Sequence, residues 1–301
     1  MNSPIAPPPP TAYLPSMSYG PQRYLSDPAR GSNGLWRTLG GFVAIALTPL
    51  ILGALLLAPL YAALPVSARD YSTPLGTTLA LASFGLYILA VAIILPLLHK
   101  RGLFSLFGDR DRFVADFRRT ALAALAVLAA IAFLVPGGGD TGPIEPNLAF
   151  STWLGFLPFA LGAIFLQVSA EELVFRGYLQ SQLAAKLSDP RLWLGIPALL
   201  FGLLHAGNSE SLSGALTYIA ITFAMGLALG DLTARTGSLG PAIALHLVNN
   251  TIGILFVGME GLLDGLALFV TPTEGAIEPP LWPSLLTVLN LWLAARVALR
   301  V

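Results

Sequence analysis

Apolar stretches near residues 38–63, 75–98, 120–136, 149–171, 192–207, 214–234, 241–257 and 281–299 constrain this chain more than any other feature. About twenty apolar residues cross ~30 Å of hydrocarbon, and in lipid every backbone polar group needs an internal partner, so such runs form helices. The expected fold is all-α: a polytopic membrane protein of about eight transmembrane helices. Composition agrees, because 11% of the residues are charged and 55% hydrophobic, against roughly 25% charged in a soluble protein. The net charge of zero offers no electrostatic footprint for nucleic acid. Cysteine is absent, which removes disulfides, thiolate metal ligands and a thiol nucleophile together, so chemistry must use oxygen and nitrogen groups.

Basic residues orient the helices. Arg23, Arg30 and Arg37 precede the first run; Lys100, Arg101, Arg110, Arg112, Arg118 and Arg119 follow the second; Lys186 and Arg191 follow the fourth, Arg235 the sixth, and Arg300 the last. The alternate connections hold only Arg69. By the positive-inside rule both termini are expected in the cytoplasm. The alanine- and leucine-rich, lysine-poor composition suggests a bacterial cytoplasmic membrane. Residues 1–34, with Pro7 to Pro10 and no apolar run, read as a disordered proline-rich tail rather than a signal peptide. Residues 35–147 hold the first three helices. Within them Arg101 to Arg119 mixes Phe104, Phe107, Phe113 and Phe117 with basic residues, a pattern expected of a helix in the headgroup plane. Residues 258–301 read as an external loop and the last helix.

Residues 170–179, A-E-E-L-V-F-R-G-Y-L, put three charges at the end of an uncharged run that begins at Phe150. A mid-membrane charge costs roughly 2.5 to 3.5 kcal/mol on insertion scales, while each Leu, Ile, Phe or Val returns about 0.3 to 0.6. Charges kept at that depth need compensation and mark functional sites by default. Glu172 and Arg176 are four apart and within ion-pairing reach. Glu171 lies ~100° around the helix, leaving its carboxylate available for chemistry. A wet helix end with three solvated charges is the bland alternative.

Three histidines occur. His99, beside Lys100 and Arg101, is ordinary boundary chemistry, whereas His205 in F-G-L-L-H and His246 in H-L-V-N-N sit in or beside apolar runs. Counting from the turn around Pro190 at ~1.5 Å per residue puts Glu171 and His205 level on antiparallel helices. His246, five residues after Pro241, falls short of that depth. It shares a helix face with Asn250, four residues on. Gly226 and Gly230 have the small-xxx-small spacing of close helix packing.

In this order the motifs Glu171-Glu172-Leu173-Val174-Phe175-Arg176, Phe201-Gly202-Leu203-Leu204-His205 and His246-Leu247-Val248-Asn249-Asn250 resemble the E-E-x-x-x-R, F-x-x-x-H and H-x-x-x-N pattern of the CAAX-protease and bacteriocin-processing (Abi) family of intramembrane proteases. The resemblance covers roughly Phe150 to Ile254 and implies a protease core at 148–257, built from the four helices between about 149 and 257. It implies that Glu171 and His205 activate a water that attacks a peptide carbonyl, while His246 and Asn250 hold the oxyanion. Glu172, Arg176 and Phe201 would support them. The implied partners are a peptide or membrane-protein substrate and the lipid bilayer.

No cofactor is required on this reading. Zinc on two histidines and one carboxylate is chemically plausible, although no HExxH occurs. The chain lacks G-x-S-x-G, which disfavours a serine hydrolase. Gly137-Gly138-Gly139-Asp140 fits the G-x-G-D of intramembrane aspartyl proteases, but it falls in an external loop without a second intramembrane aspartate. A non-catalytic immunity or peptide-binding scaffold protein is the alternative from another class.

Overall fold

The structure, a computed structural model, describes residues 17–134, 143–273 and 278–301. Eight long helices are found among them: α1 (Leu35–Ala63), α2 (Pro74–His99), α3 (Arg110–Leu134), α4 (Phe150–Ala184), α5 (Pro190–Leu204), α6 (Leu212–Thr236), α7 (Gly240–Phe256) and α8 (Leu281–Leu299). Each coincides with one apolar run. Six are long and apolar enough to cross a membrane; α5 and α7 are shorter. The 15 residues of α5 reach only ~22 Å at ~1.5 Å per residue. The Gly137–Asp140 motif and Glu274 lie outside the described residues.

Local chemistry starts and stops these helices where the sequence provides caps. The side chains of Thr73, Asp189 and Ser211 accept hydrogen bonds from the first-turn amides of α2, α5 and α6. Pro74 and Pro190 occupy first helical positions, where a missing N–H costs nothing. Gly237 ends α6 at φ +69, and a Cβ there would lie 2.4 Å from the Pro21 carbonyl oxygen, so the tight turn into α7 needs glycine.

Connections gather alternately at the two ends of the bundle. At one end Asn33 donates to the Ala185 carbonyl, Asp109 N–H to that of Gly237, and Leu239 N–H to that of Phe107. At the other, Gly265 N–H donates to the Tyr71 carbonyl, and Asn147 reaches those of Asp264 and Ala267. There three short strands form a sheet in the order β1 (Glu145–Pro146), β3 (Phe269–Thr271), β2 (Val257–Met259), with β1–β3 antiparallel and β2–β3 parallel. The loop after α7 is thus partly ordered by strand pairing.

Two expectations are corrected. Residues 17–34 are not a loose tail: short helical turns cover Met17–Ala29, and Leu25 and Ala29 are fully buried. Tyr19 packs edge-on against Trp193, and its hydroxyl donates to Asp231 at 2.6 Å. Burial, then that hydrogen bond, pushes the phenol up to about 12, so it remains a neutral donor at physiological pH. Gln22 accepts from Gln180, and buried Arg101 ties the Leu25 carbonyl to Ser181 and Ser105. Desolvation pulls the Arg101 guanidinium down to about 10, still protonated at neutral pH.

The second correction concerns 101–119, which does not form one interfacial helix. Leu103–Leu106 makes a single tight turn, and Arg110 already begins α3. The phenylalanines explain why: Phe107 meets Phe113 edge-on, Phe113 stacks on Phe117, and all three pack on the core, leaving Phe104 exposed.

The core has two parts. One surrounds α4, whose residues 172–183 are all buried; the other joins α3, α6, α7 and α8 through Leu229, Leu245 and Leu291. Docking of the N-terminal segment onto the first predicts that Leu25→Ala lowers stability by roughly 2 to 5 kcal/mol. Thermal unfolding in detergent reads this, and an unchanged midpoint would contradict the docking.

Candidate active site

α4 changes pitch where its charges lie. Regular helix ends at Glu172, and Leu173–Gln180 continues as a π-helical stretch, a geometry frequent at functional sites. Within it Gly177 makes room for Leu106, whose Cβ would lie 3.0 Å from an added Cβ. Glu172 and Arg176, four apart, are paired: Arg176 Nη1 donates to Glu172 Oε1 at 2.8 Å, with the carboxylate 0% and the guanidinium 1% exposed. Arg176 Nη2 donates to the Gly226 carbonyl at 3.3 Å. That carbonyl is near because Gly226 lets α6 close on α5; a Cβ there would lie 2.9 Å from Ala198 Cα. The guanidinium also stands 4.6 Å from the Phe201 ring centroid, a cation–π contact.

His246 lies between the two glutamates. Its Nδ1 is 2.8 Å from Glu172 Oε1, and its Nε2 is 3.5 Å from Glu171 Oε2. A carboxylate accepts, so Nδ1 carries a proton directed at Glu172. Glu171 is the less buried of the pair, at 13% exposed, and its Oε2 has no hydrogen-bond partner among the described residues. One carboxylate is held by Arg176 and His246. The other is available for chemistry.

His246 reaches this depth because α7 starts inside the protein. Residues 236–246 are all buried, the turn before them is covered by Phe107 and Phe113, and Gly240 sits where a Cβ would meet the Phe113 carbonyl at 2.5 Å. Counting from a membrane surface at Pro241 therefore underestimates the depth of His246.

His205 is the residue that the count along α4 and α5 sets opposite Glu171. It caps the end of α5, its Nδ1 donating to the Phe201 carbonyl at 2.8 Å, which leaves the Nε2 lone pair free. Among the described residues no ring nitrogen of His205 comes within 4.0 Å of a carboxylate oxygen. Phe201 joins it to the cluster, with ring centroids 4.6 Å from His205, 5.8 Å from His246 and 5.2 Å from Phe175.

Asn250 Nδ2 donates to Gln167 Oε1 at 3.1 Å, and its own carbonyl accepts from Asn249. Gln167 is buried and was not singled out in the sequence. Its signal was present: a lone amide in the uncharged run, four residues before Glu171. The link from Glu172 to His246 was also missed, since spacing along one helix says nothing about a partner on another.

Residues 152–252 match the family model described as type II CAAX prenyl endopeptidase Rce1-like. That stretch, about a third of the chain, is similar to the Rce1-like model. It runs from the first turn of α4 into α7 and includes Gln167, Glu171, Glu172, Arg176, Phe201, His205, His246 and Asn250. The uncharacterized protein YyaK of Bacillus subtilis (strain 168) is 30% identical over 145 residues, 48% of this chain and 47% of that protein. The aligned stretch thus spans about half the length of the curated relative. No solved structure matches significantly.

His205 and His246 do not share a common ligand position with a carboxylate among the described residues. His246 uses Nδ1 on Glu172, His205 uses Nδ1 on the Phe201 carbonyl, and among the described residues no three His, Asp or Glu side chains converge in metal-holding geometry. The buried pair predicts that Arg176→Ala, which strands Glu172 away from water, costs roughly 3 to 5 kcal/mol. Chemical or thermal unfolding in detergent measures it; a loss no larger than that of an exposed residue would show that Glu172 is not held this way.

Proposed function

We propose that this chain is an intramembrane endopeptidase in which Glu171 is the general base. The observation that carries this reading is the asymmetry of the two adjacent glutamates. Glu172 Oε1 is bonded by both Arg176 and His246, although its Oε2 is unbonded, whereas Glu171 makes no hydrogen bond among the described residues and its Oε2 lies beside His246 Nε2. A carboxylate oxygen free of protein partners can accept a proton from water, as a general base does. The Rce1-like match supports the reaction class.

In this reading Glu171 takes a proton from water, the resulting hydroxide attacks the peptide carbonyl, and the proton passes to the departing amine. His205 holds the water through its free Nε2, because Nδ1–H is fixed on the Phe201 carbonyl. His246 and Asn250 serve the oxyanion. For this His246 needs a proton on Nε2 while Nδ1–H stays on Glu172, so the role uses the imidazolium. Asn250 keeps one amide hydrogen for the oxyanion while the other is held by Gln167. A donor of this kind is typically worth about 2.7 to 4 kcal/mol in the transition state. Glu172, Arg176 and Phe201 act through His246 and His205. No step uses a metal.

The substrate is a peptide or membrane protein, reached from the end of the bundle that holds the basic segments, which the proposal places in the cytoplasm together with both termini. The cell membrane is the proposed location.

Two outcomes are expected. Comparative proteomics of membranes finds new protein termini with the wild-type chain and none with Glu171→Gln, which inserts and unfolds like the wild type; the same termini in both would exclude Glu171 as the base. A non-catalytic scaffold would instead keep the cellular phenotype in that variant. Cleavage by purified protein persists after exhaustive chelation, and a loss restored by added zinc would overturn the metal-free mechanism.

A further inference from the structure

The end of the bundle opposite the basic segments carries a groove that the proposed chemistry does not use. α1 and α2 run close together from Gly41, where an added Cβ would lie 3.1 Å from His99 Nε2, to Gly53, where it would lie 3.9 Å from Leu86. Past Gly53, α1 enters the π-helical Gly53–Leu57, and a groove of about 660 Å³ opens between its last turns and the first half of α2. The wall is apolar, with Leu57 and Ala62 on α1 and Leu81 and Phe84 on α2.

The mouth has a different character. Arg69, Tyr61 and Tyr71 line it. Arg69 Nε and Nη2 both donate to the Tyr61 carbonyl, at 3.1 and 2.6 Å, which fixes the guanidinium in place. Among the described residues no carboxylate lies within 4.0 Å of it, and neighbouring Asp70 is turned onto Ser72. A held cation above an apolar slot, flanked by tyrosines of the kind enriched at membrane interfaces, matches an amphiphile with a negative head.

We propose that this groove binds a glycerophospholipid with an anionic head group, its phosphate on Arg69 and one acyl chain along the wall formed by Leu57, Ala62, Leu81 and Phe84. Charge complementarity selects the head, and the membrane-spanning position of the wall selects the chain. The site is independent of the proposed proteolysis and is tested without a protease substrate.

Native mass spectrometry of the full chain in mild detergent provides the test, with phosphatidylglycerol and phosphatidylcholine added in equal amounts. One arginine at a membrane surface corresponds to about a fivefold preference for the anionic lipid. Arg69→Gln is expected to remove that preference, and Ala62→Trp, which fills the groove and leaves Arg69 in place, to reduce retention of both lipids. Inorganic phosphate and a nonionic alkyl detergent are the controls for head and chain alone, and neither is expected to compete at the lipid's concentration. Equal retention of the two lipids by the wild type, unchanged retention in Ala62→Trp, or full competition by phosphate alone would each overturn the proposal.

Discussion

A carboxylate with no access to water, held by an arginine and a histidine in an apolar bundle, is the interaction on which the rest of this structure depends. Removing two charges from water costs several kcal/mol per ion, and their attraction repays it only when geometry and additional hydrogen bonds are good. Glu172 meets that condition through Oε1, which accepts from both Arg176 and His246, while its buried Oε2 has no partner among the described residues. Arg176 meets it with Glu172, the Gly226 carbonyl and the Phe201 ring. Each contact comes from a different helix, so satisfying the charges fixes how α4, α5, α6 and α7 sit together. The small residues follow from the same demand, since Gly226 is what lets a backbone carbonyl approach the guanidinium.

In the proposed mechanism the arrangement also separates structure from chemistry in two adjacent residues. Glu172 is committed to holding His246, and through that ring it sets which nitrogen points at Glu171. His205 is committed in a parallel way by the Phe201 carbonyl. In both histidines Nδ1 is spent on orientation, leaving Nε2 for the side on which the proposal places the reaction. A supporting residue that holds one nitrogen of an imidazole so the other can work is a general device. The π-helical stretch that begins just after Glu172 carries Arg176 and is buried throughout.

Much of this was legible in the sequence, for identifiable reasons. Apolar runs locate helices because lipid forbids unpaired backbone, and all eight runs became helices. The Glu172–Arg176 pair was readable because a spacing of four is a local geometric fact. The depth of His246 was not, since it depends on Phe107, Phe113 and the N-terminal segment covering the turn before α7. The ordered segment at Tyr19 to Ala29 was hidden by the prolines before it, which dominate its composition, while Tyr19 and Leu25 find their partners on remote helices. The phenylalanines of 104–117 gave the right apolar content and the wrong element, because amphipathic composition alone does not distinguish a membrane surface from a protein surface. Gln167 shows the same limit from the other side: one amide in an oily run is visible, but its partner Asn250 is 83 residues away.

The most direct test of the account uses the fact that the chain has only three histidines. Selective ¹⁵N labelling of their rings, read by NMR in micelles, assigns protons to individual nitrogens. The account predicts a protonated, hydrogen-bonded Nδ1 at His246 whose signal shifts in Glu172→Gln and stays unmoved when exposed Arg191 is replaced. A His246 ring with a bare Nδ1 and no response to Glu172→Gln would contradict it.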